Sequence, residues 1–334
     1  MKLSVLDQAP ISRGSNPVDA LQHSIELAKV TEKLGYTRYW VAEHHSTNGL
    51  ASSSPEILIT RIASETSRIR VGSGGVLLPQ YAPYKVAENF KMLEALFPNR
   101  IDLGLGRSPG GSQQTRLALT DGVKKNLNAF PRQLQELQGF LYNALPKDHP
   151  YRTVKATPRV DTYPEVWVLG LSERGATNAA KLGVGFCYGH FINPVNGELA
   201  IRTYREKFEP SISLQKPHVL ACIFVVCAET EEKAEELALS QDKWLLSVEK
   251  GGDTKVPSLQ EVKNKTYSDE ERRIITKNRK RTIIGTPIKV KEALENYSEL
   301  YGIDEFMIIT NIYEFDAKVR SYELLANTFG LAKS

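Results

Sequence analysis

The residues best equipped for chemistry are an acid and two adjacent histidines, Glu43-His44-His45, in a chain with only six histidines. An imidazole can give or take a proton near neutrality, so this cluster could do acid–base work or steady a reacting group. It could equally be a pair of satisfied surface or core histidines. A second candidate is the glycine-rich run at 71–79, containing Gly72, Gly74 and Gly75. Glycines weaken a strand, so they mark either a bulge or a place where a flat ligand approaches the backbone. A third is Arg107, which follows Gly104-Leu105-Gly106 and offers a planar cation suited to a phosphate. The run through Gly111 is not a dinucleotide fingerprint, because Pro109 stands where the third glycine belongs. Opposite these, Ser172 precedes a helical stretch, either as an ordinary cap or as the lip of an anion site at the helix start.

The elements that must carry these residues alternate. Residues 37–42 form a β-branched and aromatic run that reads as a buried strand ending at the histidines. Further strands are expected at 3–7, 69–78, 101–105, 165–169, 184–189, 219–227 and 305–310. Helices fall between them, opening for example at Asn16-Pro17 and at Pro55; others are expected at 83–96, 123–141, 173–182, 195–208, 288–301 and 315–329. Eight strand–helix alternations fit a single α/β domain over 1–334, a (β/α)8 TIM barrel, which takes ~250 residues and leaves ~80 for insertions. Every candidate then sits at the carboxyl end of a strand, where such barrels place their chemistry. Residues 249–284, after the seventh strand, are polar and read as an irregular insertion, either a mobile lid or a solvated loop.

Composition narrows the classes. Lys plus Arg minus Asp plus Glu is 43 − 39 = +4 over 334 residues, too small and scattered to imply nucleic acid or a membrane surface as partner. No run approaches a membrane span. Met1 leads directly into a strand pattern, so a cytoplasmic protein without a signal peptide is expected. Cys187, Cys222 and Cys227 lack metal or disulfide spacing and read as reduced core residues, the last two on opposite faces of one strand. No metal site is expected. A hydrolase metal held by Glu43, His44 and His45 is disfavoured, because neighbouring strand residues point to opposite faces.

Taken jointly, the blocks 40–45, 71–79 and 99–107, with Gly285-Thr286-Pro287 and Gly302-Ile303-Asp304, resemble the bacterial luciferase-like monooxygenases over nearly the whole chain. The resemblance implies reduced FMN (FMNH2) as cofactor, O2 and a small aldehyde- or ketone-like molecule as substrates, and a separate NAD(P)H:flavin reductase as partner. His44 matches the family's active-site histidine beside the flavin. Gly74-Gly75 matches a cis-linked pair of small residues against the flavin ring. Arg107 matches the phosphate-binding arginine, and Leu171, Ser172, Glu173, Arg174 and Gly175 match the other half of the phosphate site. The 249–284 stretch matches a mobile loop, and residues 55–65 and 86–96 match the helices through which members form homodimers. Three departures stand out. Asn126 replaces a second phosphate-binding arginine, with Lys124 or Lys125 as substitutes. Gly106 replaces a thiol, and the aldehyde-binding residues of luciferase are not recognisable, so light emission is not expected. F420-dependent hydride transfer and a non-catalytic flavin-binding role are the alternatives.

Overall fold

A computed structural model describes residues 1–108 and 110–331; Pro109 lies outside them. Strands β1 (Lys2–Asp7), β2 (Arg38–Val41), β3 (Arg70–Leu77), β4 (Ile101–Gly106), β5 (Glu165–Gly170), β6 (Gly185–Tyr188), β7 (Val219–Cys227), β8 (Thr282–Gly285) and β9 (Glu305–Ile309) alternate with helices. The helices are α1 (Pro17–Lys33), α2 (Pro55–Glu65), α3 (Pro83–Leu96), α4 (Gln113–Leu119), α5 (Phe130–Leu141), α6 (Glu173–Leu182), α7 (Gly197–Glu206), α8 (Glu231–Lys250), α9 (Leu259–Lys263), α10 (Asp269–Arg279), α11 (Pro287–Tyr301) and α12 (Phe315–Phe329). All strand pairings are parallel. β1 to β7 and β9 close into a ring through the β6–β7 and β7–β9 pairings, while β8 pairs only with the far end of β7 and lies outside it. The expected TIM barrel is therefore present.

Local chemistry explains the boundaries. Asn16 accepts from the Val18 and Asp19 amides at 2.9 and 3.1 Å, opening α1 at Pro17. Two expectations need correcting. The helix expected at 123–141 begins only at Phe130, and α4, capped by Ser112 on the Thr115 amide, precedes it. The 249–284 stretch is not irregular: it holds α9, α10 and β8. Both helices open on capping boxes, Ser258 with Glu261 and Ser268 with Glu271, a four-residue pattern hidden inside a charge-rich sequence.

A charged plug closes the amino-terminal end of the barrel. Buried Arg38 donates to Glu305 at 2.9 Å, Asp102 at 2.8 Å and Glu165 at 2.9 Å, while Trp40 Nε1 donates to Asp102 at 2.8 Å. Removing one partner of such a buried set costs on the order of 3–5 kcal/mol, because the others are left uncompensated. Above it, Trp40 meets Trp167 edge-on at 5.6 Å and packs with Leu6, Cys222 and Met307. Among the described residues nothing comparable fills the opposite end, where the strand carboxyl termini line a cavity.

Candidate active site

Those termini enclose a cavity of about 960 Å3. Of the residues singled out from the sequence, His44, Gly74, Gly75, Arg107, Leu171, Ser172, Arg174 and Gly175 line it, while Glu173 does not. His45 also lines it, which corrects the opposite-faces argument: β2 ends at Val41, and both imidazoles sit on the following turn. That turn is pinned by the His44 amide on the Ser52 carbonyl at 2.9 Å and by Ser52 Oγ on the Ala42 carbonyl at 2.7 Å. Among the described residues, no three His, Cys, Asp or Glu side chains gather as a metal site.

His44 Nδ1 is buried without a hydrogen-bond partner. Burial, and then the charge of His45, push the His44 pKa down to about 4, so the ring is neutral at pH 7. Glu43 is buried beneath the pair. Its carboxylate accepts from the Leu77 amide at 2.8 Å, from Tyr81 Oη at 2.5 Å and from His45 Nε2 at 2.7 Å. One acid thus ties the histidine turn to the end of β3 and to the segment after it; neither Tyr81 nor this role could be read from the sequence.

The Gly74–Gly75 peptide is cis, and the β3–β4 register slips between Ser73 and Val76. A Cβ on Gly74 would fall 2.4 Å from Leu6 Cδ1, and one on Gly75 2.6 Å from the Gly104 carbonyl oxygen. The glycines are therefore demanded by the barrel wall behind them. Their other side is partly exposed, so both alternatives open at the sequence level, bulge and close approach, are compatible here.

Arg107 Nε is buried and unpartnered. Facing the same cavity, Ser172 precedes α6 in extended conformation, but its hydroxyl makes no cap bond, which overturns the ordinary-cap alternative. Arg174 supplies the second cation of this end, held by Asn128 at 3.1 Å. Asn126 caps the turn at Leu127 instead, and neither it nor Lys124 or Lys125 lines the cavity. Two arginines, a free hydroxyl and the positive end of α6 suit a phosphate; the cavity leaves a flat polar ring room against the neutral His44 imidazole and the Gly74–Gly75 backbone. These orphaned groups fit a flavin mononucleotide.

The opposite wall comes from residues the sequence did not reveal. Phe191 packs on Phe224 at 5.4 Å and Phe224 on Trp244 at 6.3 Å. Arg281 and Glu249 form an ion pair at 3.2 Å on the same side. Trp244 Nε1 donates to the Thr254 carbonyl at 2.8 Å, and Thr254 approaches the turn after β2 so closely that a Cβ on Gly49 would lie 1.9 Å from its oxygen. Arg13 clasps Asp253 at 3.1 Å and Glu261 at 2.8 Å, so residues 253–261 are strapped to the loop after β1. Cys187 and Cys222 also line the cavity; burial pushes both thiols up, so they are neutral and unsuited to nucleophilic work.

Three comparisons bear on this arrangement. The sequence profile of the family described as "Luciferase-like monooxygenase" matches residues 1–304. Two proteins of Bacillus subtilis (strain 168) align along their lengths. YceB, an uncharacterised protein, is 58% identical over 327 residues, 98% of this chain and 99% of its own. An N-acetyl-S-alkylcysteine monooxygenase is 37% identical over 336 residues, 100% of this chain and 99% of its own. The crystal structure of apo-MsnO8 superposes with a TM-score of 0.92 at 37% identity, covering 100% of this chain and 99% of that one.

Proposed function

This chain belongs to the luciferase-like monooxygenase family, and on that premise we propose that it is the oxygenating component of a two-component system that uses reduced FMN and O2. A separate NAD(P)H:flavin reductase supplies the FMNH2. The substrate is a small organic molecule, aldehyde- or ketone-like; the relative whose name specifies an S-alkylcysteine extends the class to thioether sulfur. Bound reduced FMN supplies the two electrons of the reaction, one oxygen atom of O2 entering the substrate and the other leaving as water.

The observation that carries this reading is the meeting, in one cavity, of a neutral imidazole, His44, and a guanidinium, Arg107, each of which makes no hydrogen bond through its buried nitrogen. Arg107, Ser172 and Arg174, with the start of α6 from Leu171 to Gly175, hold the phosphate. Glu173 shares that first turn without facing the cavity. The Gly74–Gly75 backbone would support the ring, and the His44 imidazole would stand at its reacting edge without carrying charge there. The strapped stretch 249–284 covers the site and excludes water. The exposed apolar side chains Ile57 on α2 and Met92 and Leu96 on α3 are the contact face of a homodimer, and the free cysteines suit the cytoplasm.

The test loads the protein anaerobically with reduced FMN, mixes it with oxygenated buffer and times the return of oxidised-flavin absorbance. Reoxidation slower than that of free reduced FMN, and returned to the free-flavin rate by His44→Ala, is the expected result. Free-flavin behaviour in both proteins, together with tighter binding of F420 than of FMN, would replace oxygenation with F420-dependent hydride transfer.

A further inference from the structure

We propose that the β7–α8 side of the cavity is a subsite for a small organic acid, with Arg281 taking the carboxylate and the Phe191–Phe224–Trp244 wall taking the apolar chain. This names the substrate class of the site described above and rests on that reading for the place of the cofactor.

The cavity volume of about 960 Å3 lies at the upper end of the ~300–1,000 Å3 occupied by one small-molecule site. With a phosphate-bearing cofactor anchored at Arg107 and Ser172, the aromatic wall is left for a second molecule. An apolar wall alone would select any hydrocarbon; Arg281 at its edge adds a sign. Its guanidinium meets a single carboxylate, Glu249. Nη2 donates to Asn278 Oδ1 at 2.7 Å and to Glu249 at 3.2 Å, Nη1 reaches the Phe191 carbonyl at 3.3 Å, and Nε is buried without a partner. Arg279, two residues earlier, shows what a structural arginine looks like here. Its Nε and Nη2 grip Asp242 at 2.9 and 2.8 Å, and its Nη1 holds Glu235 at 2.7 Å. Arg279 does not line the cavity, whereas Arg281 does.

Burial works against the Arg281 charge and Glu249 only partly offsets it, so a further anion beside the guanidinium on its cavity side is favoured. Nη2 already spends both of its N–H groups, so the guest carboxylate takes Nη1 or displaces Glu249 from Nη2. Glu249 also limits the guest: a dianion would be repelled by the carboxylate already 3.2 Å from Nη2, whereas a monoanion competes with it for the same cation. The aromatic face then aligns the rest of the molecule toward the barrel axis, where Met307 and Cys222 form the floor.

The probes are octanoate and octanol, titrated calorimetrically into the FMN-loaded protein at pH 7.5, with FMN affinity measured on the same samples. Octanoate is expected to bind about tenfold tighter than octanol, or better, the increment of a charge-assisted pair. Arg281→Gln should abolish that preference and Arg281→Lys should keep part of it. Glu249→Gln should tighten octanoate and leave octanol unchanged, a gain that a damaged fold cannot produce. Equal binding of the two probes, or a preference that survives Arg281→Gln, overturns the proposal. FMN affinity should be unchanged in all three variants. A wild type that fails to bind reduced FMN under anaerobic conditions but keeps the octanoate preference overturns the cofactor reading and leaves this subsite standing.

Discussion

Glu43 is where stability and site geometry can be separated. Its carboxylate is buried and accepts three hydrogen bonds, from the Leu77 amide, Tyr81 Oη and His45 Nε2. In Glu43→Gln, the amide oxygen can keep the Leu77 amide. The new NH2 faces two partners that can both reverse roles, a hydroxyl that rotates and an imidazole that changes tautomer. All three contacts then survive as neutral bonds, and the loss is the charge-assisted increment, about 1 kcal/mol per bond and about 1–3 kcal/mol in all, since the glutamine is also easier to bury. In Glu43→Leu no acceptor remains. The Leu77 amide is fully enclosed and costs ~1–3 kcal/mol unpaired, and the partly exposed Tyr81 and His45 must find water instead. The leucine variant should therefore be about 2–3 kcal/mol less stable than the glutamine variant, despite its better transfer energy. Urea unfolding at pH 7.5 followed by circular dichroism measures both. Tyr81 gives an independent readout: burial, and then its bond to Glu43, push its phenol well above the usual range. Ultraviolet titration should show it ionising at lower pH in both variants. If Glu43→Leu is as stable as Glu43→Gln, the three-way anchor carries no weight and the histidine turn is held by its own backbone bonds.

Two further predictions follow from burial and packing. His190 is buried, neither ring nitrogen has a partner, and burial alone pushes its pKa down to about 4. The unfolded chain takes up the proton at about 6.5, so stability is lost as pH falls from there to about 4, by roughly 3 kcal/mol. His44 titrates over the same window, so His190→Phe should remove about half of the histidine contribution to the acid limb of the urea-midpoint profile; an unchanged slope refutes the assignment. On β4, a Cβ at Gly104 would lie 2.0 Å from the Ser73 carbonyl oxygen, whereas at Gly106 the nearest atom is 3.8 Å away. Gly104→Ala should lower stability by about 1–3 kcal/mol or more, while Gly106→Ala stays close to wild type in thermal unfolding; equal midpoints would refute the clash.

How far the sequence reaches depends on which half of the barrel is asked. The strands from β2 to β5 end in short motifs whose residue types already restrict their chemistry: a histidine pair, paired glycines, an arginine after Gly-Leu-Gly, a serine before a helix. Each is local, so composition and a strand boundary suffice to place it, and His44, Gly74, Gly75, Arg107, Ser172 and Arg174 all face one cavity. The bonds from Glu43 to Leu77 and Tyr81 and the Gly75–Gly104 contact were not legible, because each pairs residues about 30 positions or more apart in the chain. The half from β6 to β8 was opaque for the same reason, carried further. Phe191, Phe224, Trp244 and Arg281 come from four separate elements, and Arg281 sits in a charge-rich stretch where it is indistinguishable from Arg279 until their partners are known. Local motifs thus lie on the side assigned to the cofactor, and dispersed residues on the side assigned to the substrate. A fold built this way can keep its first half and exchange its second. Substrate preference should then follow the residue at position 281 and the aromatic wall rather than the histidine turn, which is why the Arg281 and Glu249 variants speak to specificity while the Glu43 pair speaks to the frame beneath it.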